Sequence, residues 1–383
     1  VSADTLDELL HEAIAAEIAP GCVALVWRDG ELRYAGAHGW LARHGVARAE
    51  LEPVSLATRY DLASLTKVLA TTTLTAQVVG LGSLALDERL PASLALELPT
   101  ATGQVERYRP TLRDLLEHAS GLVAHREFFY EPWWLDIGAR DELIAAAQRV
   151  PLAAPPRTQA IYSDLGFLLL GAWLEQLGGA RLDQLFVDRV ARPLGLAREL
   201  GFPALVPLAS CEVAATEVYD ASLHDGARPH WYPLRDRAGQ ATARGLVHDD
   251  NGLVMGGVAG HAGLFGTATA VLALARAWLD GPLPLLDVDA SATVITAFTT
   301  PSAVPGSTRR LGFDGPSPDG SGATGHALSG RAFGHLGFTG TSLWIDPPTR
   351  AIYVLLSNRV HPTRNDDRIR MLRREFHRLA ALL

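Results

Sequence analysis

Leu6, Leu9, Leu10, Ala13 and Ile14 recur at helical spacing, so the chain is read as opening on an amphipathic helix over residues 3–18. Pro20 and Gly21 end it. Two apolar runs follow, Cys22 to Trp27 and Leu32 to Tyr34, joined at Asp29-Gly30. An Asp-Gly link between such runs is a hairpin signal, because both turn residues need positive φ. The far end mirrors the start. Residues 341–345 and 352–356 read as strands, with a turn at 346–350 between them. From Asn365 on, Ile369, Leu372, Phe376, Leu379 and Leu383 line one face of a closing helix.

The middle has a different period. Residues 65–200 carry helical patterns interrupted by Pro and Gly: Leu112 to Glu117, Asp141 to Arg149, Leu165 to Leu177 and Leu182 to Val190. The simplest architecture is an α/β domain made from both chain ends, residues 1–66 and 256–383. A mostly helical domain, residues 67–255, is inserted between them. Ligand sites favour such junctions. Residues 301–325 are rich in Gly, Pro and Ser and read as a loop.

Composition adds one sharp signal. Lysine and arginine together number 34, and all but Lys67 are arginine. An ammonium can lose its proton when desolvated, whereas a guanidinium practically cannot. Lys67 is therefore the first place to look for a base. It closes the tetrapeptide Ser64-Leu65-Thr66-Lys67 at the start of an apolar run, 64–79, that suits a buried helix. The i, i+3 spacing puts the Ser64 hydroxyl and the Lys67 amine on one face. A serine hydroxyl needs such a base to become a nucleophile.

Two further segments carry chemistry. Tyr162-Ser163-Asp164 precedes the apolar run from Leu165. A tyrosine beside a lysine and a serine can pass protons if the positive charge lowers its pKa. Alternatively, Ser163 or Asp164 merely caps a helix there. His335-Leu336-Gly337-Phe338-Thr339-Gly340-Thr341 lies at the edge of the C-terminal strands. Glycines at a strand edge let backbone approach a ligand. There the Phe338 N–H can complete an oxyanion hole with the Ser64 N–H.

In this order the three segments resemble the penicillin-recognising serine hydrolases: class C β-lactamases, serine D-peptidases, D-aminopeptidases and related esterases. Tyr60 to Thr73 is similar to that family's nucleophile helix, Leu116 to Leu122 to its recurrent loop, and Gly257 to Phe265 to a segment of its serine-hydrolase branch. The resemblance implies an α/β, β-lactamase-like fold: an antiparallel sheet flanked by terminal helices, plus the inserted helical domain. It implies a serine hydrolase that works through an acyl-enzyme on esters or amides, as esterase or D-amino-acid peptidase or amidase. Ser64, Lys67 and Tyr162 would be catalytic. Asp164, His335, Gly337 and Trp133 would bind substrate.

Two departures matter. The family's Tyr-x-Asn is Tyr162-Ser163-Asp164, a carboxylate in place of an amide, and its Lys-Thr-Gly is His335-Leu336-Gly337. No second lysine exists to supply the cation that β-lactams and DD-peptides require. β-Lactamase or DD-carboxypeptidase activity is therefore the alternative, as is a non-catalytic sensor on the same fold.

The remaining signals narrow the partners. The net charge of −8, without a Lys-rich stretch, argues against nucleic acid, and no apolar run is long enough for a membrane span. The partner expected is a small-molecule ester, amide or peptide. No metal or organic cofactor is implied: H-E-x-x-H does not occur, His248-Asp249-Asp250 reads as a polar loop, and the G-x-G-x-x-G at 320–325 follows no strand. His118 and His261 read as structural hydrogen-bonders. Phe128 to Trp134 packs five aromatics into core or pocket wall. Cys22 and Cys211 form no CxxC pair. The chain opens on Val1, so a trimmed leader is expected. The compartment stays open between cytoplasmic and periplasmic or secreted.

Overall fold

A computed structural model describes residues 2–43, 46–99, 103–131, 139–203, 213–217 and 244–383. Trp133, Cys211 and the end of the aromatic segment lie outside them.

The helix α1 (Ala3–Ala15) leads into the hairpin β1 (Gly21–Arg28) and β2 (Glu31–Gly39), turned at Asp29-Gly30, both with positive φ. The closing strands are β6 (Phe333–Leu336), β7 (Ser342–Asp346) and β8 (Ala351–Ser357), followed by α5 (Ile369–Ala380). All five pair antiparallel in the order β2-β1-β8-β7-β6, with Cys22 opposite Ser357 and Val26 opposite Tyr353. The first and last parts of the chain thus meet at the centre of one sheet.

Both faces of that sheet are covered, which is why β1 and β8 read as continuous apolar runs. Cys22, Ala24 and Val26 point towards Leu6 and Leu10 of α1 and Leu372 and Phe376 of α5. Val23, Leu25 and Trp27 point the other way, towards α4 (Ala268–Asp280). From there one apolar core runs without a break into α2 (Thr73–Gly80) and α3 (Asp164–Gly178). The expected α/β fold with an antiparallel sheet, terminal helices and a helical middle is the one observed. Among the described residues no helix is long and apolar enough to cross a membrane.

Two helices depart from the regular period expected. The stretch 64–79 contains a π-turn at Lys67–Thr72 ahead of α2, and Leu182–Phe186 passes into another at Val187–Ala191. A π-turn inserts one extra residue per turn and commonly marks functional positions. The strand β6 begins two residues before the His335 to Thr341 segment placed at the edge of the C-terminal strands and ends at Leu336. It forms by pairing with β7, with His335 opposite Leu343.

Candidate active site

Three short strands hold the turn before Ser64. These are β3 (Tyr60–Asp61), β4 (Leu200–Gly201) and β5 (Phe265–Gly266), with β5 in the middle. Asp61 Oδ1 accepts from Ala63 N–H at 2.8 Å, and its other oxygen from His248 N–H at 2.7 Å. Ala63 sits at φ +47, a left-handed conformation that costs a non-glycine residue energy and needs surrounding contacts to persist. The turn aims Ser64 into the start of the helix. Thr66 Oγ1 ties that first turn to Leu264 N–H at 3.1 Å.

The 335–341 segment is laced to the same turn. Thr339 donates its hydroxyl to Asp61 O at 2.7 Å, and Thr341 to Leu62 O at 3.1 Å. Gly337 packs so closely that a Cβ there would collide with the Thr341 hydroxyl and the Leu62 carbonyl, which explains the glycine. Phe338 is 51% exposed, lies under Arg359 at 4.3 Å and stacks on His248. The N–H groups of Ser64 and Phe338 have no hydrogen-bond acceptor among the described residues.

Lys67 is fully buried. Its Nζ donates to Ser64 Oγ at 3.1 Å, Asp164 Oδ1 at 2.7 Å and His261 O at 3.2 Å. Burial works against the ammonium, but the charge of Asp164, aided by Tyr162, outweighs it and raises the pKa. Burial likewise opposes the Asp164 carboxylate, yet Lys67 and His125 hold it well below the usual carboxylate range. The two shifts agree on a charged pair. This corrects the simple picture of a desolvated, neutral lysine: the burial is there, but the carboxylate that replaces the family's amide keeps the proton on Lys67. Asp164 has one oxygen on Lys67 and the other on His125 Nδ1 at 3.1 Å, so both oxygens are held by side chains of the cleft. Asp164, Asp249 and His261 converge closely enough to share a cation, and the Lys67 ammonium already occupies Asp164. Asp249 in turn accepts from His261 Nε2 at 2.8 Å.

Tyr162 is packed between His118 and His335, with ring centroids 4.7 and 5.6 Å away. Lys67 Nζ lies 4.8 Å from its ring and the Arg309 guanidinium 5.0 Å. Burial raises the phenol pKa, and Lys67 pulls it down without prevailing, so Tyr162 is a phenol at neutral pH. Ser163, not Asp164, caps α3 through Gly166 N–H, and its own N–H donates to His118 Nδ1 at 3.0 Å. Burial, with Arg309 and Lys67 nearby, keeps His118 neutral. Both His118 and His261 therefore act as hydrogen-bonders, as their segments suggested.

His335 Nδ1 donates to Leu336 O at 2.7 Å, while buried Nε2 has no partner among the described residues. Burial lowers its pKa to about 3, helped by Lys67 and Arg309. His335 therefore supplies no cation near neutral pH.

Two clefts meet at Ser64, Tyr162 and Phe338. One, of about 290 Å³, is walled by His125, Phe129 and Asp249; the other, of about 410 Å³, by Arg309, His335 and Arg373. From the aromatic segment, Phe129 reaches the pocket wall and Phe128 is buried in the core. Sequence reading missed His125 and Arg309. Neither carried a periodic or motif signal, and Arg309 is one arginine among many.

A family model described as Beta-lactamase matches residues 6–378. The chain is 31% identical over 351 residues to a putative D-alanyl-D-alanine carboxypeptidase of Escherichia coli O157:H7, covering 89% of this chain and 79% of that one. It is 31% identical over 367 residues to an N-acetylmuramyl-L-alanine amidase of Bacillus subtilis (strain 168), covering 93% and 80%. Among solved structures it resembles EstCE1, a hydrolase with promiscuous acyltransferase activity, at a TM-score of 0.73 and 23% identity over 98% of both chains. With the match running over nearly the whole chain and the fold agreeing from end to end, this protein belongs to the beta-lactamase family of serine hydrolases.

Proposed function

We propose that the protein cleaves esters or amides through an acyl-enzyme on Ser64. The observation that carries this reading is the 3.1 Å bond between Ser64 Oγ and the buried Lys67 Nζ, beside two backbone N–H groups that have no acceptor among the described residues and lie in a cleft. Ser64 Oγ attacks the carbonyl carbon. Lys67 takes the hydroxyl proton while passing one of its own to Asp164 Oδ1, so the pair goes from net zero to one positive charge, matched by the negative charge that develops on the oxyanion. The oxyanion forms between the Ser64 and Phe338 N–H groups, donors pre-aimed at charge that develops only in the transition state. Tyr162, still a phenol, donates to the leaving group, and the same groups activate water for deacylation. Ser64→Ala is expected to lower turnover of p-nitrophenyl esters by roughly 10⁴-fold or more and to abolish the acyl adduct seen by intact mass. A variant that still turns over would remove Ser64 from the reaction. Stable labelling of the wild type by an activated ester, without turnover, would favour a sensor.

Arg309 favours a second, narrower reading. The neutral His335 argues for uncharged esters. Arg309, however, places a guanidinium in the cleft beside Tyr162, where it pairs only with Asp314 at 3.3 Å among the described carboxylates. A substrate ending in a carboxylate would find its counter-charge there. The relatives described as putative D-alanyl-D-alanine carboxypeptidases point the same way. On this reading Arg309→Ala raises KM for D-Ala-D-Ala peptides by about tenfold or more, the worth of one charged hydrogen bond, and leaves p-nitrophenyl acetate little affected. Equal effects on both substrates would return Arg309 to a packing role.

A further inference from the structure

The hydrogen-bond chain from Ser64 does not stop at the Lys67–Asp164 pair. Asp164 Oδ2 meets His125 Nδ1 at 3.1 Å, and the His125 side chain is 40% exposed at the cleft wall. The nucleophile is thus connected, atom by atom, through a buried ammonium and a partly exposed carboxylate to an imidazole in contact with solvent. We infer that His125 is a positioning residue whose protonation state controls how readily Asp164 relieves Lys67 of a proton, and hence how fast Ser64 is activated. The inference rests on the acyl-enzyme reading above and goes further by assigning its control.

An ionised carboxylate only accepts, so His125 Nδ1 carries the hydrogen and donates it to Oδ2. Nε2 is then the atom that titrates. While Nε2 is bare, Asp164 accepts a proton on Oδ1 at less cost than when Nε2 is protonated. Once Nε2 is protonated, an imidazolium lies against Oδ2, favours the carboxylate and opposes that transfer. Other charges face His125 as well. Asp249 lines the same cleft and Glu127 lies two residues along. His248, Asp250 and Arg364 also line it, with His248 held by Glu217 at 3.0 Å and Arg364 by Asp250 at 3.3 Å. The hydrogen bond to Asp164 raises the His125 pKa, against burial, with Asp249 and Glu127 acting in the same sense as Asp164. The acid limb of the reaction therefore falls above about 6.5, the ordinary histidine value.

The test follows labelling of Ser64 by an alkyl fluorophosphonate, which needs no knowledge of the natural substrate. The Oγ–P bond forms, P–F breaks and fluoride leaves, and the serine proton passes through Lys67 to Asp164 and then to water. Second-order labelling rates are measured by intact mass between about pH 5 and 9, where histidine titrates. The proteins are the wild type, His125→Asn, Asp164→Asn and the double variant, each checked for folding by thermal melt. The wild-type rate should fall about tenfold per pH unit below the limb, as for loss of one essential base form. Asparagine at 125 keeps a donor to Oδ2 and does not titrate. Normalised to its own alkaline plateau, His125→Asn should therefore label at least about thirtyfold faster than the wild type at about pH 5. In the Asp164→Asn background the same change should not move the profile, because its target is gone. An unmoved limb in His125→Asn, or an equal shift in both backgrounds, overturns the inference. No labelling of Ser64 in the wild type at any pH overturns the acyl-enzyme reading itself, and this inference with it.

Discussion

Lys67→Arg is expected to lower kcat/KM by about 10² to 10⁴, the usual worth of general-base assistance, and to do so in a chain whose other basic side chains are all arginine. Positive charge is kept, and so is a partner for Asp164. What is lost is a nitrogen that can release a proton to Asp164 and take one from Ser64, since a guanidinium stays charged throughout. The site is also tight. Lys67 is fully buried against the rings of Tyr162 and Phe167, and a larger head there costs about 1–3 kcal/mol of stability by overpacking. Thermal melts separate that loss from the catalytic one. Combined with Ser64→Ala, the effects should be far from additive, because the two side chains act as one unit. Retention of more than about a tenth of the activity, against the general-base factor, would take Lys67 out of the mechanism and leave Tyr162 as the base.

Asp164→Asn restores the residue type expected of the family and removes the carboxylate partner of the buried ammonium. Asp164 is depressed in the fold, so its contribution is present above the unfolded carboxylate pKa of about 3.9 and is lost as pH falls. Lys67 is raised, so its contribution is present below the unfolded pKa of about 10.4 and is lost as pH rises through the folded value. The pair therefore stabilises across about pH 4 to 10. Breaking it in the variant leaves a buried unpaired charge, worth about 3–5 kcal/mol at neutral pH. With Asp164 gone, burial dominates and lowers the Lys67 pKa. The loss should shrink on the alkaline side, where Lys67 sheds its proton at less cost. Urea unfolding at about pH 7 and 9.5, within and near the end of the pair's window, measures both values. A loss under about 1 kcal/mol at neutral pH is the size of an exposed pair, and would show that solvent reaches this one.

Ser64, Lys67, Tyr162 and the 335–341 segment were legible because each carries a local mark: a tetrapeptide at the sole lysine, a tyrosine before a helix, glycines at a strand edge. His125 carries none. Its function depends on Asp164, 39 residues away, a separation at which no periodicity or motif connects two side chains. Phe129 was legible only as one of a crowd of aromatics. It is the packing that brings Phe129 to the cleft and leaves Phe128 in the core.

Alternation and helical spacing by themselves determined the hairpin at Asp29-Gly30, the closing strands and helix, and the helical middle, since period and turn chemistry act over a few residues. The lone lysine four positions into the nucleophile turn determined where chemistry would be sought. Only the tertiary structure decided the charge on that lysine. Burial alone pushes it towards the neutral amine, and the sequence shows only that it is apolar around residue 67. The carboxylate of Asp164, brought to 2.7 Å by the packing of α3 against the nucleophile helix, outweighs burial and keeps it an ammonium. Charge state is set by distances between residues far apart in the chain, and those distances exist only once the core has formed.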